Sequence, residues 1–371
     1  MGLFEHILRG IRRVIDRDSE QDAIPSLDGA LSPNDRLDAC IPVGAPLPGL
    51  DDVVAAHDGS LFVSAGRSVL RLSGAGFATR RLLAEFDGDA GGLAIHPDGD
   101  LLICVAGRGL AKFDSARPQP RWLDAVDGHA LAGLQSVAVA PDGQIFAVEG
   151  SIARTPDAWR HDLIEKRRNG RLIASDAALD VATTVLSDLY FPYGLAVAPD
   201  ARYLWYTESW AHRVSRIPLP SKGAAKPEIV LRNLPGYPAR LRSDGHGGYY
   251  LALFARRTHL IEFVLREDDF RLEMMATMPA DHWIAPAYAG GHDCREPMQI
   301  GGVKALGIQK PWAPPRSYGL LMSLDAEGEA TNSLHSRASG RFHGITGACA
   351  TPQGTVIAAR GAGQLLLRRE I

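Results

Sequence analysis

The sequence predicts an all-β protein, a six-bladed β-propeller, and three observations predict it. One unit recurs six times: a Gly or Pro entry, an alternating apolar strand, a tight turn, then a second strand rich in aromatic and β-branched residues. The turns follow one another at about 40 to 60 residues, with one longer gap near the end, and a four-stranded blade needs about that length. The turn residues themselves suit hairpins, because Asp-Gly supplies the positive φ that a type I′ turn requires.

Taken in order, the units begin at Gly49-Leu50-Asp51-Asp52-Val53-Val54 with turn Asp58-Gly59, and Gly91-Gly92-Leu93-Ala94-Ile95 with turn Asp98-Gly99. Leu134-Gln135-Ser136-Val137 follows with turn Asp142-Gly143, then Tyr193-Gly194-Leu195-Ala196-Val197 with turn Pro199-Asp200. Pro238-Ala239-Arg240-Leu241 with Asp244-Gly245 is the fifth, and His343-Gly344-Ile345-Thr346 with Gln353-Gly354 the sixth. The long gap before the sixth turn calls for an insertion near residues 266–316, with Met278 to Pro315, which holds Trp283 and Trp312, as its centre. Helix is expected only at the N-terminus and within Pro156 to Arg168. The chain divides into an amphipathic helix over residues 1–20, a lead-in over 21–48 and the propeller over 49–371.

In the N-terminal stretch Leu3, Phe4, Ile7, Leu8, Ile11, Val14 and Ile15 share one helical face, while Arg9, Arg12 and Arg13 lie toward the other. Charges interrupt the apolar run and His6 breaks the myristoylation pattern, so neither a secretory signal nor an acyl anchor is expected. Residues 3–15 suit packing against the propeller or a protein partner, or peripheral attachment to an anionic membrane surface. A net charge of −3 and 46% hydrophobic residues give no bulk attraction to nucleic acid. Cys40, Cys104, Cys294 and Cys349 are far apart and make no zinc pattern, which fits a cytoplasmic location, peripheral to the inner membrane face if residues 3–15 attach there. Phosphate-binding loops, HExxH and GxSxG are absent.

Several runs resemble strictosidine synthase-like proteins of the gluconolactonase and paraoxonase superfamily: Asn169-Gly170-Arg171-Leu172, Leu189-Tyr190-Phe191-Pro192-Tyr193-Gly194, Glu208-Ser209-Trp210, and Asn233-Leu234-Pro235-Gly236-Tyr237-Pro238-Ala239-Arg240. The resemblance covers roughly residues 30–371 and implies a six-bladed propeller with a small-molecule site at one mouth of its tunnel. Residues just before each repeated strand should converge there: Asp51 or Asp52, Gly91 or Gly92, Gln135, Tyr193, Arg240 and His343. In lactonase-like relatives the corresponding places form a calcium site of one Glu, two Asn and an Asp-Asn pair. Here they read Asp51, Gln135, Tyr193 and Ala239-Arg240, so calcium is not expected and Arg240 is read as standing in for the cation, paired with Asp51. The paraoxonase-like His dyad has no counterpart, since its places fall at Gly91 and in Ile103-Cys104-Val105-Ala106. The acid/base glutamate of strictosidine synthase aligns best with His343.

The expected activity is therefore cofactor-free hydrolysis of an ester or lactone, with His343 and Asp51 in acid/base roles and Arg240 at the oxyanion. Gln135, Tyr193, Glu208 and Trp210 are expected to contact the small-molecule substrate. Amine–aldehyde condensation of the Pictet–Spengler type is one alternative, and a noncatalytic binding or scaffold propeller is another. Glu149 sits as Glu208 does, after a second strand, and the Gly290-Gly291-His292-Asp293-Cys294 segment suggests a lid whose His, Asp and Cys would combine with His282.

Overall fold

The computed structural model describes residues 24–114, 119–219, 226–290 and 315–369, with the backbone of Lys304–Ala305 and Ile308–Gln309. Expectations that fall on residues 1–20, and on His292, Asp293 and Cys294, lie outside the described residues.

Six four-stranded antiparallel sheets form the blades. Their innermost strands are Leu50–Ala55, Ala90–Ile95, Leu134–Val139, Pro192–Val197, Gly236–Ser243 and Ile345–Thr351. Each innermost strand contacts the next, and the sixth contacts the first, so the ring closes. Closure is reinforced at the edge: Ile41–Pro42, from the lead-in, pairs with Gln364–Arg368 as the outermost strand of blade six. A two-residue strand carries too little pattern to be read in advance, and its pairing spans nearly the whole chain.

Apolar side chains from facing blades fill the spaces between them, as Leu50, Val53, Leu61 and Val63 of blade one do with Val356, Ala358 and Leu365 of blade six. The innermost strands run so close that a Cβ on Gly92 would lie 2.6 Å from the Gln135 carbonyl oxygen, a contact only glycine avoids. Two buried glutamates act as clips at equivalent places. Glu149 Oε1 accepts the Ala132 and Gly133 N–H groups at 3.0 Å and its Oε2 meets Arg171 at 2.8 Å. Glu208 accepts the Tyr190 N–H at 3.1 Å and the Arg213 Nε–H at 2.5 Å.

Antiparallel alternation places the start of every innermost strand, the end of its neighbour and the loop to the third strand on one face. On that face lies helix α1 (Trp159–Glu165), from the loop inside blade three. The insertion of blade five, between Tyr249–Arg256 and Gly319–Leu324, adds α2 (His259–Arg266) and α3 (Asp268–Thr277). These two helices are a correction to the expectation of helix only at the N-terminus and in Pro156 to Arg168. Thr258 caps α2 by accepting the Ile261 N–H, and Ile164 packs with Val264, Met274 and Trp283 to join α1 to the insertion. No helix among the described residues is long and apolar enough to cross a membrane.

Candidate functional site

Every innermost strand begins with a register shift against its neighbour: between Leu50 and Asp52, Ala90 and Leu93, Leu134 and Ser136, Pro192 and Leu195, Pro238 and Leu241, and Ile345 and Gly347. A bulge leaves a residue unpaired and redirects its side chain. Repeated in six blades, it sends Asp51, Asp52, Gln135, Tyr193 and Arg240 toward the tunnel mouth. In blade six the bulge falls on Thr346, two residues beyond the turn that holds His343. His343 is thus not the axial residue of its blade, and Thr346 is: its hydroxyl donates to the Asp51 carbonyl at 2.6 Å.

Arg240 organises the mouth and is only 2% exposed. One Nη donates to the Asp51 carbonyl at 2.9 Å, and the other meets the Asp51 carboxylate and donates to the Gln135 carbonyl at 2.8 Å. Its Nε lies 3.4 Å from Asp52, and its guanidinium 5.2 Å from the centre of the Tyr193 ring. Asp52 also takes Arg242 at 2.8 Å and the Leu93 N–H at 2.9 Å. The second oxygen of Asp51 is held by Arg360, whose guanidinium lies 4.4 Å from the Tyr288 ring centre.

Two carboxylates thus face three guanidiniums, which leaves the cluster one positive charge in excess. Burial works against the Asp51 anion, yet Arg240 and Arg360 reverse that penalty and hold its carboxyl below the ordinary aspartate range. Burial in turn pushes the thiol of Cys104, at the same mouth, well up, so it stays protonated. The mouth encloses a cleft of about 70 Å³ lined by Asp51, Gln135, Arg240, Arg360, Pro156 and Asp157 among others. At roughly 30 Å³ per liquid water, that space corresponds to about two waters.

The other expected residues lie elsewhere. Glu208 is fully buried in the clip described above. Trp210 is half-buried, stacked on Phe191 at 4.3 Å and packed near Trp159 and Tyr237, and its Nε1–H donates to Asp162 at 2.8 Å. His343 is half-buried; its Nδ1 lies 2.8 Å from Ser317 Oγ and its Nε2 2.8 Å from the Arg337 carbonyl. Its connection to the axis is indirect. The Gly361 N–H donates to the His343 carbonyl at 3.1 Å and the Arg360 N–H to the Gly344 carbonyl at 2.9 Å, and the Arg360 side chain then reaches Asp51.

Sequence reading missed Arg360, Arg242, Ser317 and Asp162. Burial raises the Asp162 carboxyl above its ordinary value, outweighing its bonds to Ser151 and Trp210. The Pro-Asp-Ala-Trp-Arg-His-Asp run offered no signal for this, because the burial comes from distant blades.

The mouth does not suit calcium. That ion takes six to eight oxygen ligands, whereas here a buried guanidinium occupies the centre, and Gln135 offers it only a backbone oxygen while its side-chain amide lies 3.5 Å from the Gly133 carbonyl. Among the described residues no three His, Cys, Asp or Glu side chains are grouped as a metal set.

Six closed blades with a polar cluster at one axial mouth define a six-bladed β-propeller. Residues 135–219 match the strictosidine synthase family. The STRICTOSIDINE SYNTHASE-LIKE 6 protein of Arabidopsis thaliana is 27% identical over 218 residues, 57% of this chain and 58% of that one. The match therefore spans little more than half of that relative. Among solved structures, a gluconolactonase from Xanthomonas campestris aligns over 88% of this chain and 87% of its own, with a TM-score of 0.58 at 14% identity. A calcium-binding regucalcin from Agrobacterium tumefaciens aligns over 87% and 90%, with a TM-score of 0.56 at 12% identity. Over residues 135–219 the chain is thus similar to the strictosidine synthase family, and its fold is the six-bladed propeller that the gluconolactonase structure also has.

Proposed function

We propose that the chain hydrolyses an ester or lactone without a metal, with the acyl oxygen received at the axial mouth. The observation that carries this reading is the net positive Asp51–Arg240–Arg360 cluster at the axial mouth, the place where the resemblance to lactonase-like proteins implies a calcium site. Arg240 is buried with both terminal nitrogens engaged, so its part is to fix Asp51. Arg360 keeps 27% of its side chain exposed and lines the cleft, which makes it the donor available to a developing oxyanion. A carboxylate held below its ordinary pKa is a weak base, so Asp51 anchors the guanidiniums and His343 takes the acid/base role. The gluconolactonase neighbour supports lactones as the first substrates to try.

Two other readings compete. A condensation of the Pictet–Spengler type rests on the strictosidine synthase-like relatives, but the aromatic residues near α1 pack against one another, Phe191 on Trp210 and Trp159 5.3 Å from Phe254, rather than lining a cage. A noncatalytic binding propeller is favoured by cleft size, since about 70 Å³ is well below the several hundred Å³ of ordinary small-molecule pockets. A screen of γ- and δ-lactones and aryl esters, run beside aromatic amines with aldehydes, separates the three. Turnover of a lactone or ester that falls in Arg360→Met supports hydrolysis, a condensation product supports the second reading, and saturable binding without turnover supports the third.

A further inference from the structure

We propose that Ser317 is the nucleophile of this hydrolysis and His343 its base, an inference that rests on the reading above. The two residues arrive from different blades. Ser317 lies just before the third strand of blade five, and His343 just before the innermost strand of blade six. Backbone bonding joins the segments, because the Gly344 N–H donates to the Tyr318 carbonyl at 3.1 Å. Gly344 itself has φ +65°, and a Cβ there would lie 2.7 Å from the Tyr288 carbonyl, so the turn carrying His343 admits only glycine at that place.

The tautomer follows from chemistry. His343 Nε2 lies 2.8 Å from the Arg337 carbonyl, which only accepts, so in the neutral ring Nε2 bears the proton. Nδ1 then presents its lone pair to Ser317 Oγ at 2.8 Å, and the hydroxyl donates to it. A nucleophile bonded to a base that a third group orients is the arrangement that activates serine. Burial separates His343 from three other histidines. His335 bonds Tyr318 and Ser333 while 0% exposed, and His96 and His212 are buried on backbone carbonyls. His343 alone of these four is half-exposed, on the turn whose backbone is bonded to the Arg360–Gly361 segment at the axial mouth.

The step balances without a co-reactant other than water. Ser317 Oγ bonds to the acyl carbon as its proton passes to Nδ1, and the C–O bond to the alcohol or ring oxygen breaks as that oxygen takes the proton. Water then gives a proton to Nδ1 and attacks the acyl-serine, and Ser317 leaves with its proton restored.

The test treats the full chain with a fluorophosphonate probe, reads the adduct by intact mass and peptide mapping, and assays the lactone and ester panel in parallel. A single adduct on Ser317 is expected, absent in Ser317→Ala and formed about 10²- to 10⁴-fold more slowly in His343→Ala. Hydrolysis should fall about 10³-fold or more in Ser317→Ala, whose melting temperature should match the parent chain. In Ser317→Cys the probe site becomes alkylated by iodoacetamide, which keeps the assignment testable should Ser317→Ala fold poorly. Turnover with no adduct on Ser317, or undiminished in Ser317→Ala, overturns the nucleophile and leaves the hydrolase reading intact. An adduct without turnover of any ester or lactone upholds the nucleophile and overturns that reading, and the absence of both overturns both.

Discussion

Arg240→Met tests the axial cluster with the least change in shape. The substitution keeps the aliphatic volume but removes three donated hydrogen bonds, to the Asp51 carbonyl, the Asp51 carboxylate and the Gln135 carbonyl, and the charge beside Asp52. Both carboxylates are at most 5% exposed, so neither recovers solvent when its partner goes. Breaking one side of a buried pair costs about 3 to 5 kcal/mol, and the lower end applies because Asp51 keeps Arg360 and Asp52 keeps Arg242. Unfolding entropy of about 2.1 cal/mol/K per residue makes roughly 0.7 kcal/mol/K for a propeller of this size, so a loss of about 3 kcal/mol should lower the melting temperature by about 4 °C. Calorimetry of the parent, Arg240→Met, Asp51→Asn and the double variant forms the cycle, and the coupling should exceed about 1.5 kcal/mol. The sign with pH is fixed as well. Because Asp51 has a lowered pKa in the folded state, its ion pair stabilises above the unfolded value near 4 and is lost as pH falls through the folded value. The Arg240→Met deficit should thus be full at pH 7 and shrink as pH falls below the unfolded value near 4. A deficit under about 1 kcal/mol at pH 7, or strict additivity in the cycle, would refute the buried-pair reasoning.

Further expectations follow from other groups. Millimolar calcium should leave the melting temperature of EDTA-treated protein unchanged, whereas a micromolar site would raise it visibly. Asp162→Asn should stabilise the protein by on the order of 1 kcal/mol at pH 7, since burial raises the Asp162 pKa and its anion is disfavoured there. A raised acid loses stability as pH rises through the window between its unfolded and folded values, so the gain should vanish near pH 4, and a gain independent of pH would count against it. His343→Ala should leave stability within about 1 kcal/mol of the parent, because the ring is half-buried, and a larger loss in calorimetry would assign it to the scaffold.

Six blades were legible because their signals are local. Asp58-Gly59, Asp98-Gly99 and Asp142-Gly143 announce hairpins within a few residues, and their spacing gives the blade length. Alignment of the repeats also placed Asp51 and Arg240 together, since equivalent positions in a closed ring share an axis. His343 escaped that logic: the blade-six bulge lies at Thr346, and a three-residue offset moves a side chain from the axis to the rim. Arg360 and Ser317 sit in loops before third strands, where no periodicity points, and their partners are hundreds or tens of residues away. The α2 signal was present in Thr258 followed by Leu260, Ile261 and Val264, but its eight residues compete with the strand pattern of Tyr249–Arg256 just before it.

The most direct measurement is the initial rate of lactone or ester hydrolysis by protein stripped with EDTA, before and after calcium is restored, for the parent chain and Arg360→Met. Metal-free catalysis at a guanidinium mouth predicts equal rates with and without calcium, and a rate lowered about 10²- to 10³-fold in Arg360→Met. Activity abolished by EDTA and recovered with calcium, or a full rate in Arg360→Met, would contradict it.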